Sequence, residues 1–488
     1  MTAATWRWLT VATAVAWAVV MLTVRRADVI TDDWHGWRQA DTAAIARNLA
    51  AEEPNPLRPR IDWRGDGPGY VETELQLYPA IVAAVAAATG DLERSAQVVS
   101  LGCVLAAALI LASALGRRYG PAAGYAALVA ILSMQGAVVA STTIQPDPLA
   151  FLAFTLGWVA FLADLAAPRR ATWAAWVAAT AVAGLVKPTT LELGLAQFTL
   201  IAVAHRAHLR SARLWLGWAV VLAAVGGYLL YARTLYTTYG NTFGVLSGGD
   251  SKLPALGALA GLEPWRELAR YGLVWGVGLL AVPAALYLAV RRRLTAEHLA
   301  LALGAAALSL LALRYTASYF GTHYHLPHVV LGAHLVAAAV AELRWPRAAT
   351  AAVAVVALAL TVRALAFITS RPREPETTLG RALATVAAPG TRVAVRARAE
   401  GYNRQWRTEN NFQDPRVFYL SRTTGWVLPN DLAGSAALAD YARRGARFYV
   451  HVNQHPIDAD LAAWLALHAH VVATSTAGTI YELAFATK

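Results

Sequence analysis

The sequence predicts an α-helical polytopic membrane protein that ends in a small α/β domain. Three observations carry this reading. Of 488 residues, 57% are hydrophobic and 15% are charged, whereas soluble chains carry about 25% charged residues. Long apolar runs recur from near the N-terminus to residue 367 and then stop. The remaining segment, 370–488, changes composition and alternates short β-rich and helical stretches. The balance excludes intrinsic disorder and argues against a purely water-soluble chain.

A membrane-crossing helix needs about 20 mostly apolar residues. Eleven stretches are read as spans: 7–24, 95–115, 121–140, 148–166, 171–186, 190–204, 212–231, 271–290, 297–313, 326–341 and 348–367. The first follows Arg7 and leads to no small-residue cleavage site, so it reads as an uncleaved anchor. Segments 171–186 and 190–204 are short for spans, which suits recessed helices. LYPAIVAAVAAAT at 77–89 is shorter still and reads as an interfacial or re-entrant helix within the first outer loop.

Charge fixes the expected orientation. The net charge of +12 comes from 42 Lys and Arg against 30 Asp and Glu, and only Lys187, Lys252 and Lys488 are lysines. With a cytoplasmic N-terminus and 77–89 not crossing, one side collects Arg117, Arg118, Arg169, Arg170, Arg206, Arg210, Arg213, Arg291, Arg292, Arg293, Arg344 and Arg347. The positive-inside rule makes that side cytoplasmic. Residues 25–94, the other large loops and the tail then lie outside. The arginines form no nucleic-acid-binding stripe. The expected organisation is a membrane module over 1–369, with 25–94 as its first outer loop, and an extracytoplasmic domain over 370–488. In the tail, 391–398, 416–421 and 447–452 read as strands, and 377–387 and 432–444 as helices. Cys103 is the single cysteine, so no intrachain disulfide forms.

The candidate chemistry sits on the outer segments. TDDWHGWRQAD at 31–41 places Asp33, His35, Arg38 and Asp41 directly after a span. A carboxylate there can act as a general base; the structural alternative is a juxtamembrane helix with interfacial tryptophans. GYVETE carries Glu72 and Glu74 ahead of the 77–89 helix, where acids also complement a helix dipole. Asp147 stands between two prolines at the outer end of a span, and an acid at that depth is a functional hypothesis by default. Lys187, in LVKPT, is either a snorkelling cation or a compact charge for a phosphate. His323 and His325 form an H-x-H pair, with His328 nearby, that is compatible with a divalent metal.

Together, DxHxWRQxDTAxIARN, GYVxTE…LYP, the PD turn, LVKPT and HYxLP occur in an order that resembles the bacterial GT-C membrane glycosyltransferases, the protein mannosyltransferase and aminoarabinose transferase group. FYLSRTTGWVLP at 418–429 is similar to a YxxxRxGW stretch in the tail of some members. The resemblance spans nearly the whole chain. It implies a GT-C fold and transfer of a sugar, usually with inversion, from a polyprenyl-phosphate donor. The acceptor would be a glycan, lipid or protein outside the bacterial cytoplasmic membrane. By position, Asp33 matches the first-loop acid, with Asp41 as its rival. Glu74 matches the acid before the interfacial helix, Asp147 the second-loop acid and Lys187 a cation near the lipid phosphate. Arg38 suits a phosphate for its own reason, since a guanidinium binds it in a bidentate way.

Two other enzyme and non-enzyme readings compete. A ligase moving a larger polyprenyl-linked glycan would use the same phosphate-binding logic and differ in donor. A lipid or sugar transporter would show inverted repeats and polar residues near mid-membrane, but no repeat is visible and the polar residues gather at one face.

Overall fold

The structure is a computed structural model that describes residues 2–24, 31–32, 34–247, 256–403, 408–409, 412–453 and 456–484. The chain divides into two compact units. A helical unit comprises 1–26, 97–228 and 252–370, and a mixed unit comprises 27–96, 229–251 and 371–488.

The first five helices are α1 (Ala3–Val24), α2 (Gly36–Ala51), α3 (Leu77–Thr89), α4 (Leu92–Tyr119) and α5 (Pro121–Ser133). Among the described residues, six helices are long and apolar enough to cross a membrane: Ala4–Val24, Leu92–Tyr119, Asp147–Ala166, Ala212–Tyr239, Tyr319–Glu342 and Pro346–Thr369. The chain is therefore a multi-pass membrane protein. Shorter apolar helices of 10–17 residues cover Leu77–Thr89, Pro121–Ser133, Arg170–Val186, Pro188–Ala204 and Ala296–Leu311.

Two stretches read as continuous spans are broken. Segment 121–140 forms two helices, because Met134 turns extended (φ −70°, ψ 130°) between Ser133 and Gln135. Segment 271–290 belongs to a helix pair, Leu262–Val277 and Ala281–Val290, bent by 96°. Gly278 makes the break at φ +86°, where a Cβ would meet the Met134 side chain at 2.8 Å. Only glycine combines that dihedral with that space. Tyr319–Glu342 is the most enclosed of the long helices, and α1 and Pro346–Thr369 among the least. It is reached so closely that a Cβ on Gly332 would overlap the Val277 carbonyl.

In the mixed unit the tail strands are β1 (Arg392–Arg396), β2 (Tyr402–Asn403), β3 (Thr408–Glu409), β4 (Thr424–Leu428), β5 (Phe448–Val452), β6 (Ala469–Ser475) and β7 (Gly478–Leu483). Five form one sheet in the order β4-β1-β5-β7-β6. Strand β1 pairs in parallel with β4 and β5, and β7 pairs antiparallel with β5 and β6. The helices at Pro375–Val386 and Ser435–Arg443 fall where expected. RVFYLS at 416–421, read as a strand, is a helix. Its β-branched and aromatic residues favour a strand locally, but Arg416, Val417, Phe418, Tyr419 and Ser421 are buried on it. Arg422 ends it in the left-handed region (φ +53°) before β4 begins. The core of this unit mixes distant segments: Ile45, Leu49, Ile61 and Val71 pack with Leu379, Leu383, Val393, Val395, Phe418, Val450 and Ile480.

Candidate active site

The helical unit builds one cluster from two helix ends and the tight helix Tyr319–His328. Asp147 is the first residue of the helix Asp147–Ala166, and Lys187 caps the C-terminus of Arg170–Val186. A short turn joins these two helices, so the start of one and the end of the other lie at the same end of the pair. The positions are electrostatically apt: an acid sits at a helix N-terminus and a cation at a C-terminus. The Lys187 Nζ donates to Asp147 Oδ1 at 2.5 Å, and both residues are 4% exposed. The other carboxylate oxygen, Oδ2, is buried without a hydrogen-bond partner. The ring of Tyr324 lies 4.9 Å from the ammonium, a cation–π distance. The His323 ring lies tilted against Tyr324 with ring centroids 4.3 Å apart.

His325 does not join His323. Its Nε2 lies 2.8 Å from the Thr316 carbonyl, and its Nδ1 lies 3.4 Å from Nδ1 of His328. His328 Nε2 in turn lies 3.2 Å from Glu192 Oε2. The H-x-H spacing thus sends its two rings to different partners, because positions two apart on the tight helix Tyr319–His328 lie on different faces. Among the described residues, no group of three or more His, Cys, Asp or Glu side chains is arranged to hold a metal ion. Glu192 is a buried acid that sequence reasoning passed over. Its signal was an acid at the start of a short apolar helix, where a charge is costly.

The mixed unit builds the second group. Asp33 lies outside the described residues. Its described neighbours, Thr31, Asp32 and Trp34 to Gly36, are buried. His35 precedes α2 in the left-handed region (φ +54°) and stacks on Trp34 with centroids 3.9 Å apart. A positive φ in a non-glycine residue is uncommon and clusters at functional sites. A Cβ on Gly36 would sit 2.3 Å from the Thr31 carbonyl oxygen, so only glycine allows that approach. Asp32 faces the tail: its Oδ1 accepts the Glu374 backbone N–H at 2.8 Å. The hydroxyls of Thr31 and Thr377 also bond at 2.8 Å.

Arg38 and Glu74 approach each other at 3.5 Å, and Thr73 Oγ1 donates to the other Glu74 oxygen at 2.9 Å. Glu72 is fully buried and differently engaged. It accepts the backbone N–H groups of Leu246 and Ser247 at 2.9 and 3.1 Å, and the Thr242 hydroxyl. Its carboxylate therefore ties the 242–247 loop to the 70–74 segment. Asp41 is buried, with Oδ1 accepting the Trp63 indole N–H at 2.9 Å. Burial pushes the Asp41 carboxyl well above the usual carboxylate range. The Trp63 bond opposes that rise, and nearby Asp62 and Asp414 add to it.

No family model and no curated protein matches the chain by sequence. Solved structures do. ArnT from Cupriavidus metallidurans in the apo state aligns over 98% of both chains at 16% identity, with a TM-score of 0.67. ArnT from the same organism bound to undecaprenyl phosphate aligns over 98% of both chains at 17% identity, with a TM-score of 0.65. The oligosaccharyltransferase AglB from Archaeoglobus fulgidus, in complex with an inhibitory peptide and a dolichol-phosphate, covers 91% of this chain and 69% of its own at 11% identity, with a TM-score of 0.52. The chain shares the fold of these proteins, the GT-C type of fold that the motif order implied.

Proposed function

We propose that this chain, built on the GT-C fold, transfers a sugar from a polyprenyl-phosphate donor to an acceptor on the outer side of the bacterial cytoplasmic membrane, with inversion at the anomeric carbon. The observation that carries the reading is the full-length likeness to ArnT, a protein whose structure binds undecaprenyl phosphate. The buried Lys187–Asp147 pair supports it, because a cation in an apolar helical unit suits a lipid phosphate.

The chemistry assigns one task to each side chain. An acceptor hydroxyl attacks the anomeric carbon while the bond from that carbon to the phosphate oxygen breaks. Asp33 takes the hydroxyl proton as the new bond forms. Negative charge grows on the departing polyprenyl phosphate, and Lys187 and Arg38 offset it. Asp147 orients Lys187, and Glu74 orients Arg38. His35 and His323 contact substrate, while Glu72, Asp41 and His325 hold the surrounding segments.

Mass spectrometry of lipid-linked sugars, with and without the protein, tests the reaction. A polyprenyl-phosphate sugar accumulating in its absence supports the reading and names the donor. An unchanged lipid-linked pool together with unchanged envelope glycans overturns it. Asp33→Asn is expected to abolish transfer in a protein that still inserts and folds, and normal product from that variant removes Asp33 as the base.

A further inference from the structure

We propose that the helical unit carries a second lipid site, a groove between α1, α4 and α5 that holds one anionic phospholipid. The groove encloses ≈ 550 Å³ and takes in Arg7, Thr10 and Val11 from α1 and Leu109, Ser113 and Arg117 from α4. The two helices contribute the same sequence of chemistry. Along α1 it runs from Arg7 through Thr10 to Val11, and along α4 from Arg117 through Ser113 to Leu109. At 1.5 Å per residue, cation, hydroxyl and apolar side chain succeed one another over about 6–12 Å on each helix. That gradient matches a phosphate, a glycerol ester region and an acyl chain.

Beyond the groove, Val11, Val15 and Val19 are all more than half exposed and line up at four-residue intervals on α1. They give an acyl chain a continuous apolar track. The shape of the groove follows from two glycines: a Cβ on Gly124 would lie 2.7 Å from the Gly116 Cα. Helices α4 and α5 therefore meet backbone to backbone there, and both glycines line the hollow.

Charge specifies the occupant. Arg118 pairs with Glu297, but among the described residues no acid pairs with Arg7, and Arg117 Nη1 bonds only the Ser113 hydroxyl at 2.8 Å. Two uncompensated guanidinium groups at the mouth of an apolar groove call for an anionic headgroup, as basic pockets between membrane helices do. Trp6 and Tyr125, with ring centroids 5.5 Å apart, line the same groove, and such side chains are enriched at membrane interfaces.

Native mass spectrometry of the full-length chain in detergent tests this, using phosphatidylglycerol, phosphatidylcholine and undecaprenyl phosphate as probes. The expected result is one retained phosphatidylglycerol, weakened about tenfold or more in R7Q/R117Q and kept in R7K/R117K. The charge-matched control R291Q/R292Q should bind as the parent does. Equal weakening in that control would reduce the site to bulk charge and overturn the proposal. So would equal retention of phosphatidylcholine, preference for undecaprenyl phosphate, or displacement by millimolar inorganic phosphate. Because the readout is lipid retention, the outcome is independent of whether the chain transfers sugar.

Discussion

Single residues carry the sharpest expectations. The Lys187–Asp147 pair is buried, so removing either partner strands a charge at a cost of about 3–5 kcal/mol. Lys187→Gln and Asp147→Asn should each lower the thermal midpoint of the purified protein. The double variant should recover much of that loss, since no bare charge remains. Donor binding should stay weak in both Lys187→Gln and the double variant. Recovered stability with recovered donor binding would separate Lys187 from the phosphate. Asp41 makes a contrasting case. Its folded carboxyl titrates above the unfolded value of about 3.9. The stability it favours is present at low pH and is lost as pH rises through the raised value. Asp41→Asn keeps an oxygen for Trp63 and should flatten that loss while leaving transfer intact, measured by unfolding at pH 4 and 7. Loss of transfer in Asp41→Asn, with Asp33→Asn active, would exchange their roles. The residues that sequence reading could name were rare types in apolar surroundings, such as Asp147 and Lys187. Their mutual contact was not legible, because 40 residues separate them and only the antiparallel helix pair joins them. Glu192 was equally rare in type, but it sat inside a stretch already read as a short span.

At the scale of elements, the close approach of Gly36 to Thr31 and the tail helix Arg416–Ser421 decide most. Gly36→Ala should force that approach apart, because its Cβ has nowhere to go beside the Thr31 carbonyl. Transfer should fall steeply while the membrane-inserted amount stays normal, read by activity per inserted molecule. The Arg416 guanidinium binds Asp414 and Glu376, and Arg398 binds Glu376 and Glu374. Burial alone would raise the Asp414 carboxyl, but Arg416 overrides it and holds the group below its ordinary value. The stability from this pairing is therefore complete above about pH 4 and drains away as pH falls through the depressed value. Arg416→Met should cost about 3–5 kcal/mol at pH 7 and a shrinking amount toward pH 3. A constant difference across that range would show that the network is not the cause. These acids and arginines also explain why 416–421 misled sequence reading. Its side-chain types describe a strand, whereas its partners, unknowable from one line of sequence, hold a helix. Breaks at Met134 and Gly278 were hidden in the same way, since apolar continuity reports burial in lipid and not straightness.

For the whole molecule, hydropathy and arginine placement were sufficient to expect a multi-helix membrane chain with a mixed tail, and motif order was sufficient to expect the GT-C architecture. The composition of the mixed unit was not visible. Its core draws Ile45, Leu49, Ile61 and Val71 from the first outer segment onto Leu379, Val393 and Val450 of the tail. Deleting 370–488 should therefore expose that apolar face and drive aggregation in detergent, seen as loss of a monodisperse peak. A monodisperse, active truncation would show that the first segment folds without it.

The same discontinuity has a consequence for biosynthesis. Synthesis runs from the N-terminus, at about 5–20 residues per second. The half-core around Ile45 and Val71 leaves the ribosome long before its partners on β1, β5 and β7 exist. Some four hundred residues separate the two, so the first half waits on the order of 20–80 s with its apolar face uncovered. This unit can complete its core only after translation has nearly ended, and its first half must stay unaggregated throughout that delay. Nonsense or frameshift lesions near the C-terminus should thus destroy the first outer segment as thoroughly as lesions placed within it.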